Sequence, residues 1–250
     1  MRQSSDKVLI EIAVDSVASA IASERGGAAR VELCANLLEG GVTPSAGMIA
    51  VVRAAISIGL HVMIRPRGGD FTYDAAEIDV MACDIAMAKS LGADGVVLGI
   101  LTTSGRVDVE GTRRLIDLAR PLEVTFHRAF DMSANLLESL EDVCATGADR
   151  LLTSGGEANC LEGTETLAAL VKAALGRIAI MAGGGIRPEN AARIIAATGV
   201  RDIHSGLSTT IESSVVYRNP RVSMGKVLGR EYERHQVTEE SVRQLLESIR

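Results

Sequence analysis

Short apolar runs alternate with longer amphipathic stretches along nearly the whole chain. The runs are rich in branched residues and predict eight strands, near residues 8–13, 30–34, 61–66, 95–101, 123–128, 150–154, 178–182 and 202–206. The stretches between them repeat apolar residues every three or four positions and predict seven helices, near 15–25, 46–58, 74–91, 109–119, 134–146, 164–175 and 188–198. One strand and one helix therefore recur about every 25–30 residues.

Helix boundaries carry their own signals. Asp74 followed by Glu77 predicts a capping box at the start of the third helix. Left-handed glycine caps are typical where a helix ends and a strand follows within a few residues. Four such glycines precede predicted strands: Gly27, Gly92, Gly147 and Gly199. The caps and the apolar pattern thus indicate the same order of elements.

The regular alternation of strands and helices indicates right-handed crossovers and a parallel sheet. Eight units predict a closed (β/α)8 TIM barrel, in a single domain over residues 1–250 with the barrel at about 8–206. No G-x-G-x-x-G motif follows the first strand, which disfavours an open dinucleotide-binding sheet.

Residues 207–250 depart from this rhythm and form a predicted C-terminal extension. Residues 207–210 and 217–220 are typical of irregular loops. Thr238 then predicts the N-cap of a helix whose apolar stripe comprises Val242, Leu245, Leu246 and Ile249. We expect this helix to fill the eighth outer position or to close one end of the barrel; a subunit contact is the alternative.

Composition narrows the class of protein. The net charge of -6 and an aromatic content of 2% disfavour nucleic-acid binding. No apolar run approaches the roughly 20 residues of a membrane span, and residues 1–6 lack the apolar stretch of a signal peptide. We therefore expect a cytoplasmic protein that contacts neither nucleic acid nor membrane. Four cysteines far apart, with no C-x-x-C, indicate neither a zinc knuckle nor a disulfide framework.

Ionisable residues interrupt or end five of the apolar runs. Burying such groups costs several kcal/mol unless they are paired or hydrated, so charges on five strands predict one shared polar pocket. Active sites of barrels lie at the carboxyl ends of the strands. We expect four residues to carry acid–base chemistry there: Glu11, Glu32, His127 and His204. The alternatives are structural ion pairs for the glutamates and satisfied core positions for the histidines.

Arginines and glycine-rich turns near the predicted strand ends are typical of an anion-binding site. Three glycines follow the seventh strand and open a helix, as in the phosphate cradle common in barrels. The predicted anion-binding residues are Arg65, Arg67, Asp70, Arg128, Asp131, Ser154, Gly183, Gly184, Gly185 and Ser205. Ordinary tight turns with solvated charges and no ligand are the alternative.

Residue types at the predicted pocket also bear on covalent catalysis and metal binding. The absence of lysine from the predicted strands disfavours a Schiff-base mechanism. Two carboxylates and two histidines could bind a divalent metal through oxygen and nitrogen. Cys34, two residues after Glu32, favours a softer ion such as Cu(I) and is the predicted metal ligand. Its alternative role is that of a small buried hydrophobe, which is usual for a lone cysteine.

Five segments together resemble the CutC family, and the resemblance runs over about residues 8–224. The two most specific are residues 63–71 (MIRPRGGDF) and 124–131 (VTFHRAFD). The others are residues 31–34 (VELC), 40–45 (GGVTPS) and 152–155 (LTSG). The resemblance implies a cytoplasmic TIM barrel, dimeric or tetrameric, that takes part in copper homeostasis.

Copper binding in that family is attributed to two cysteines, one of which matches Cys34. The other lies just after the glutamate of the first strand, where this chain has Ala13. The first hypothesis is therefore a copper-binding homeostasis protein, with Cu(I) as its candidate cofactor. The second, from the residue chemistry, is an isomerase, epimerase or lyase that acts on a small anionic or phosphorylated, sugar-like compound.

Overall fold

Eight parallel strands close into a barrel in a computed structural model that describes residues 8–224 and 229–250. The polar N-terminal segment considered above lies outside the described residues. Each strand pairs with its neighbours in chain order, and the first strand closes the ring against the eighth. The strands are β1 Leu9–Val14, β2 Arg30–Leu33, β3 Gly59–Met63, β4 Gly95–Leu98, β5 Glu123–Phe126, β6 Arg150–Thr153, β7 Ala179–Gly183 and β8 Asp202–Ser205. The predicted TIM barrel is confirmed.

Among the described residues, eight α-helices surround the barrel. They are α1 Val17–Gly26, α2 Ala46–Ala55, α3 Ala75–Ser90, α4 Val109–Ala119, α5 Leu136–Thr146, α6 Thr164–Ala174, α7 Pro188–Thr198 and α8 Glu239–Ser248. The capping box of α3 is present, and the four predicted glycines all have positive φ. Within the described ranges, each helix is too short or too polar to cross a bilayer.

Helix α8 takes the eighth outer position, in contact with both α7 and α1. The Thr238 hydroxyl accepts a hydrogen bond from the amide of Ser241, as expected of an N-cap. The contact with α1 is close at Gly26, where a Cβ would lie 2.5 Å from the Cβ of Val242. Only glycine therefore allows the two helices to approach in this way.

Several strands end earlier than the apolar pattern predicts. The third is expected to reach residue 66 but ends at Met63. Beyond it, the Arg65 amide donates to the Thr43 hydroxyl and the Arg65 carbonyl accepts from the Thr43 amide, so this backbone pairs with a loop. The fifth strand likewise stops at Phe126, because a 3-10 turn begins at Arg128.

The prediction of irregular structure at residues 207–210 is wrong. Strand β9, Ser208–Glu212, pairs antiparallel with β10, Glu233–Val237, in a two-stranded sheet outside the barrel. Both strands are mostly polar, so they lack the apolar alternation by which strands are predicted. The Val237 amide donates to the Ser19 hydroxyl, which ties this sheet to α1.

The main apolar core lies between the strands and the outer helices. On β1, the fully buried Ile10, Ile12 and Val14 belong to this core, whereas Glu11 alternates to the inside of the barrel. The same alternation repeats in other strands and fills the barrel interior with charged and polar side chains. The site described next is built on this inner layer.

Candidate functional site

A network of ion pairs fills the lower interior of the barrel. Arg30 on β2 lies between two carboxylates, with Nε 2.5 Å from Glu11 Oε2 and Nη2 2.6 Å from Asp202 Oδ1. Arg150 on β6 lies 3.4 Å from the same Asp202 oxygen and 3.1 Å from Glu123 Oε2. The arginines and Asp202 are at most 11% exposed in their side chains, so each charge depends on its partners for stabilisation.

His61 on β3 links the two sides of this network. Its Nδ1 lies 3.7 Å from Glu11 Oε2, and its Nε2 lies 3.7 Å from Glu123 Oε2. Burial lowers the pKa of His61, and the positive charges of Arg30 and Arg150 add to the shift. The imidazole therefore favours its neutral form inside the barrel.

Sequence reasoning did not place this network, although alternation along the strands indicates it. Arg30 shares its face of the strand with Glu32, His61 with Met63, and Asp202 with His204. The missed members are Arg30, His61, Glu123, Arg150 and Asp202. Side chains alternate between the two faces of a strand, and applying this alternation to all eight apolar runs would have predicted these five residues inside the barrel.

Toward the carboxyl end of the barrel, Glu32 and His204 join Glu11 of the network in one cluster. His204 Nδ1 lies 2.8 Å from Glu11 Oε1, and His204 Nε2 lies 3.8 Å from Glu32 Oε2. One ligand atom from each of the three residues lies within 4.8 Å of the others, so the group has the spacing of a metal site. Three residues predicted from separate strands thus converge.

The protonation states of this cluster are coupled through its charges. Burial acts to raise the pKa of Glu11, but the hydrogen bond from His204 and the charge of Arg30 hold it well below its usual range. Burial opposes a charged imidazole at His204, yet the Glu32 and Glu11 carboxylates outweigh it and raise the pKa of His204. Burial raises the pKa of Glu32 although His204 opposes that shift.

Cys34 lies beside this cluster and not within it. Its thiol donates a hydrogen bond of 3.4 Å to Glu32 Oε2, and the residue is 1% exposed. Burial and the Glu32 carboxylate raise the pKa of the thiol well above its ordinary value. In the described part of the chain, the metal-spaced group comprises Glu11, Glu32 and His204, without Cys34.

A cavity of about 200 Å³ opens over the cluster at the barrel mouth. Five of the predicted polar residues line it, and apolar side chains contribute to its wall. The polar lining includes Glu32, Arg65, His127, Arg128 and His204, and the apolar lining includes Met63, Phe71 and Leu152. Glu11 lies beneath the cavity and reaches it through His204.

His127, at the end of β5, is held in one tautomer. Its Nδ1 accepts a hydrogen bond of 3.2 Å from the Ala129 amide, so the proton of the neutral ring lies on Nε2. Burial and the nearby charge of Arg65 lower the pKa of His127 to about 3. Among the described residues, Nε2 has no hydrogen-bond partner. The ring is therefore suited to donate a hydrogen bond; its predicted role in proton transfer stays a prediction.

Arg65 lines the cavity but uses both terminal nitrogens to hold loops. Nη1 donates to the carbonyls of Glu39 and Gly41, at 2.7 and 3.0 Å, and Nη2 donates to the Gly69 carbonyl at 2.7 Å. The guanidinium also lies 4.7 Å from the centre of the Phe71 ring. It contributes positive charge to the mouth from a fixed position.

Arg67 and Asp70 do not join the other predicted anion-binding residues. Arg67 Nε lies 2.5 Å from Glu77 Oε1 on α3, and its Nη2 lies 3.2 Å from Asp70 Oδ1. Asp70 is 70% exposed in its side chain, and neither residue lines the mouth cavity. Their contacts account for both charges without a ligand.

Asp131 organises the loop after β6 and fixes Arg128 at the rim. It accepts from Arg128 Nε at 2.7 Å, from the amide and hydroxyl of Ser154, from the Gly156 amide and from the Thr153 hydroxyl. Arg128 Nη2 in turn donates to the Ser154 hydroxyl at 2.8 Å. Asp131 and Ser154 thus position Arg128, which is 42% exposed in its side chain.

The glycines after β7 allow close packing beneath the mouth. A Cβ at Gly183 would lie 2.4 Å from Leu152 Cδ1, and Gly184 has φ +135° with Ser154 directly beside it. The Ser205 hydroxyl donates to the Ile186 carbonyl at 2.7 Å. The phosphate cradle expected from Gly183, Gly184, Gly185 and Ser205 stays a prediction, because these contacts explain the glycines by packing alone.

Comparison with known proteins places this barrel and its polar mouth in one family. The model of the CutC family matches residues 8–209. A family protein CutC of Chromobacterium violaceum is 49% identical over 244 residues, which span 98% of each chain. The copper homeostasis protein cutC homolog of Mus musculus is 48% identical over 220 residues, 88% of this chain and 81% of that protein. The chain belongs to the CutC family.

Solved structures agree with this assignment. The CutC copper homeostasis protein of Streptococcus agalactiae has a TM-score of 0.75 at 36% identity, covering 79% of this chain and 97% of that one. Other solved barrels, at 12–20% identity and TM-scores of 0.54–0.60, share the fold alone. Their activities therefore carry no information about the chemistry of this chain.

Proposed function

We propose that this chain handles copper and binds it at the barrel mouth, through His204 and Glu32. The supporting observation is the group of nitrogen and oxygen atoms within 4.8 Å of one another, in a chain whose relatives are named copper homeostasis proteins. Copper here is cargo, which the protein takes up and releases.

The thiol content does not fit a two-cysteine Cu(I) site. The position after the first-strand glutamate is Ala13, and Cys34 is a buried thiol whose pKa is raised. Soft thiolate ligands select Cu(I), whereas imidazole and carboxylate suit harder ions. The donors at this mouth therefore fit Cu(II) better than the Cu(I) expected from the sequence.

Glu11 fits the role of an orienting partner to the metal-binding imidazole. One of its oxygens accepts from His204 Nδ1 and the other pairs with Arg30. A histidine that binds a metal commonly donates its second nitrogen to a carboxylate in this way, which fixes the ring. The other nitrogen of His204, Nε2, and the unpartnered Oε1 of Glu32 are then the groups left for copper.

Metal titration tests this assignment. We expect metal-free protein to bind Cu(II) in isothermal titration calorimetry, and Glu32→Gln and His204→Gln to bind it at least about 10-fold more weakly. Glu11→Gln is expected to bind Cu(II) about 10–100-fold more weakly, because the imidazole of His204 loses its orienting carboxylate. Cys34→Ala and the control Glu110→Gln, an exposed glutamate of α4, are expected to match the wild type.

Two outcomes would contradict the proposal. Equal Cu(II) affinity in the wild type, Glu32→Gln and His204→Gln would show that copper does not bind at the barrel mouth. Tight binding of Cu(I) by reduced protein that disappears in Cys34→Ala would replace the nitrogen and oxygen site with a thiolate site. The enzyme hypothesis gains no support from the fold alone and stays a prediction.

We also propose a cytoplasmic homo-oligomer, as the resemblance implies. Large apolar side chains on the C-terminal extension are exposed in the single chain, among them Val216 at 96%, Tyr217 at 73% and Met224 at 84%. Exposed large apolar side chains favour association between protein chains. Sedimentation velocity is expected to show a dimer or tetramer that Val216→Ser weakens; a monomer across the micromolar range would exclude it.

A further inference from the structure

Among the described residues, three buried polar atoms of residues that line the mouth cavity have no hydrogen-bond partner: His127 Nε2, Glu32 Oε1 and Arg65 Nε. His127 Nε2 is a donor, because the Ala129 amide occupies Nδ1, and Glu32 Oε1 is an acceptor. Both residues line the cavity, and each is 4% exposed. Buried polar groups are usually hydrogen-bonded, and such exceptions are explained by a water, an ion or a ligand.

Charge and size restrict what such a ligand can be. Arg128 presents a guanidinium at the rim, held there by Asp131 and Ser154, which favours an anionic group. Two carboxylates line the same cavity, Glu32 and Glu39, and they disfavour a second negative charge on the ligand. A volume of about 200 Å³ admits only a few heavy atoms.

The wall of the cavity also carries apolar side chains, beside the further polar residues Glu39, Arg65 and His204. Met63, Phe71 and Leu152 contribute carbon surface between the polar groups. A short carbon chain would cover this surface, whereas an inorganic ion would leave it in contact with water. The complementary molecule therefore has an anionic acceptor, a hydroxyl donor and a few carbon atoms.

We propose that the cavity binds a short-chain 2-hydroxycarboxylate, with its carboxylate on His127 Nε2–H and Arg128 and its hydroxyl donating to Glu32 Oε1. The small carbon chain contacts Met63 and Leu152. This site goes beyond the proposed copper site: the two share the cavity and Glu32 Oε1, so the ligands would exclude each other, and binding of the hydroxycarboxylate needs no metal.

Calorimetric titration of the full chain, freed of metal on a chelating resin, tests the proposal with three probes. Lactate carries both groups, propionate lacks the hydroxyl and propane-1,2-diol lacks the carboxylate. A site built to pair a polar group discriminates against the analogue without it. We expect lactate to bind at least about 10-fold more tightly than either analogue.

Variants locate the binding in the cavity. His127→Leu is expected to weaken lactate binding at least about 10-fold, because the donor is lost. His127→Gln restores an N–H donor and is expected to recover most of the affinity. Arg177→Ala, which breaks a surface pair with Glu141 of α5, is expected to bind as the wild type does.

Equal binding of lactate and propionate, unchanged affinity in His127→Leu, or no binding of any probe would each overturn the proposal. If His127→Leu does not fold, by far-UV circular dichroism, Arg128→Gln replaces it as the test variant, because that side chain lies partly exposed at the rim. The Cu(II) titration uses no organic anion, so its failure and the failure of lactate binding are separate results.

Discussion

Replacing Arg30 with leucine is expected to lower the free energy of unfolding by about 3–5 kcal/mol, because two buried carboxylates lose their counter-charge. The guanidinium of Arg30 bridges Glu11 and Asp202 at 2.5 and 2.6 Å inside the barrel. Breaking a buried pair costs more than the pair contributes, since the remaining charges stay out of water. Urea denaturation followed by circular dichroism measures the change.

Arg177→Leu is the matched control for this measurement. Arg177 makes two contacts of 2.6 Å with Glu141, but the two side chains are 41% and 59% exposed. We expect a loss of under about 1 kcal/mol, as for other surface pairs. Similar losses in the two variants would show that burial adds nothing to the pairing of Arg30.

Replacing His127 with glutamine is expected to make the protein less sensitive to mild acid. The pKa of His127 is about 3 in the folded protein and near 6.5 in the unfolded chain. As the pH falls below about 6.5, the unfolded chain takes up the proton first, so stability is lost down to about pH 3. Between pH 7 and pH 5 this one residue accounts for about 2 kcal/mol.

The measured quantity is the difference in unfolding free energy between pH 7 and pH 5, for the wild type and for His127→Gln. Other buried groups titrate in both proteins, so only the difference between the two slopes is assigned to His127. Phe71→Leu removes an aromatic ring 5.0 Å from His127 without removing a titrating group, and it is expected to keep the wild-type slope. An unchanged slope in His127→Gln would mean that the pKa of His127 is the same in the folded and unfolded states, which would contradict the shift caused by burial.

The barrel could be predicted from the sequence because its signals are local. Apolar runs, the Asp74 capping box and the positive-φ glycines, such as Gly27, each depend on a few neighbouring residues. The sheet formed by β9 and β10 depends instead on pairing between strands about 25 residues apart, and neither has an apolar face. A local pattern cannot detect such a pair.

The part of the candidate site that lies on strands was predictable, because side chains alternate between the two faces of a strand. Glu32 and His204 lie inside the barrel because alternation places them there. Arg65 and Arg67 come after the end of β3, where alternation no longer decides direction. Arg65 lines the mouth cavity, whereas Arg67 pairs with Glu77 on α3. Loop contacts determine both directions, and a periodic pattern in the sequence does not predict them.

The barrel closes by pairing of its first strand with its eighth, and this has a consequence for folding during synthesis of the protein. Strand β1 completes its hydrogen bonds only when it pairs with β8, residues 202–205. Helix α1 packs against α8, which ends at Ser248. A chain growing on the ribosome therefore cannot complete the contacts of its earliest segments until residues up to Ser248 have emerged. Shorter partial chains expose those segments to solvent and to chaperones, so stable folding of the barrel is expected only after that point.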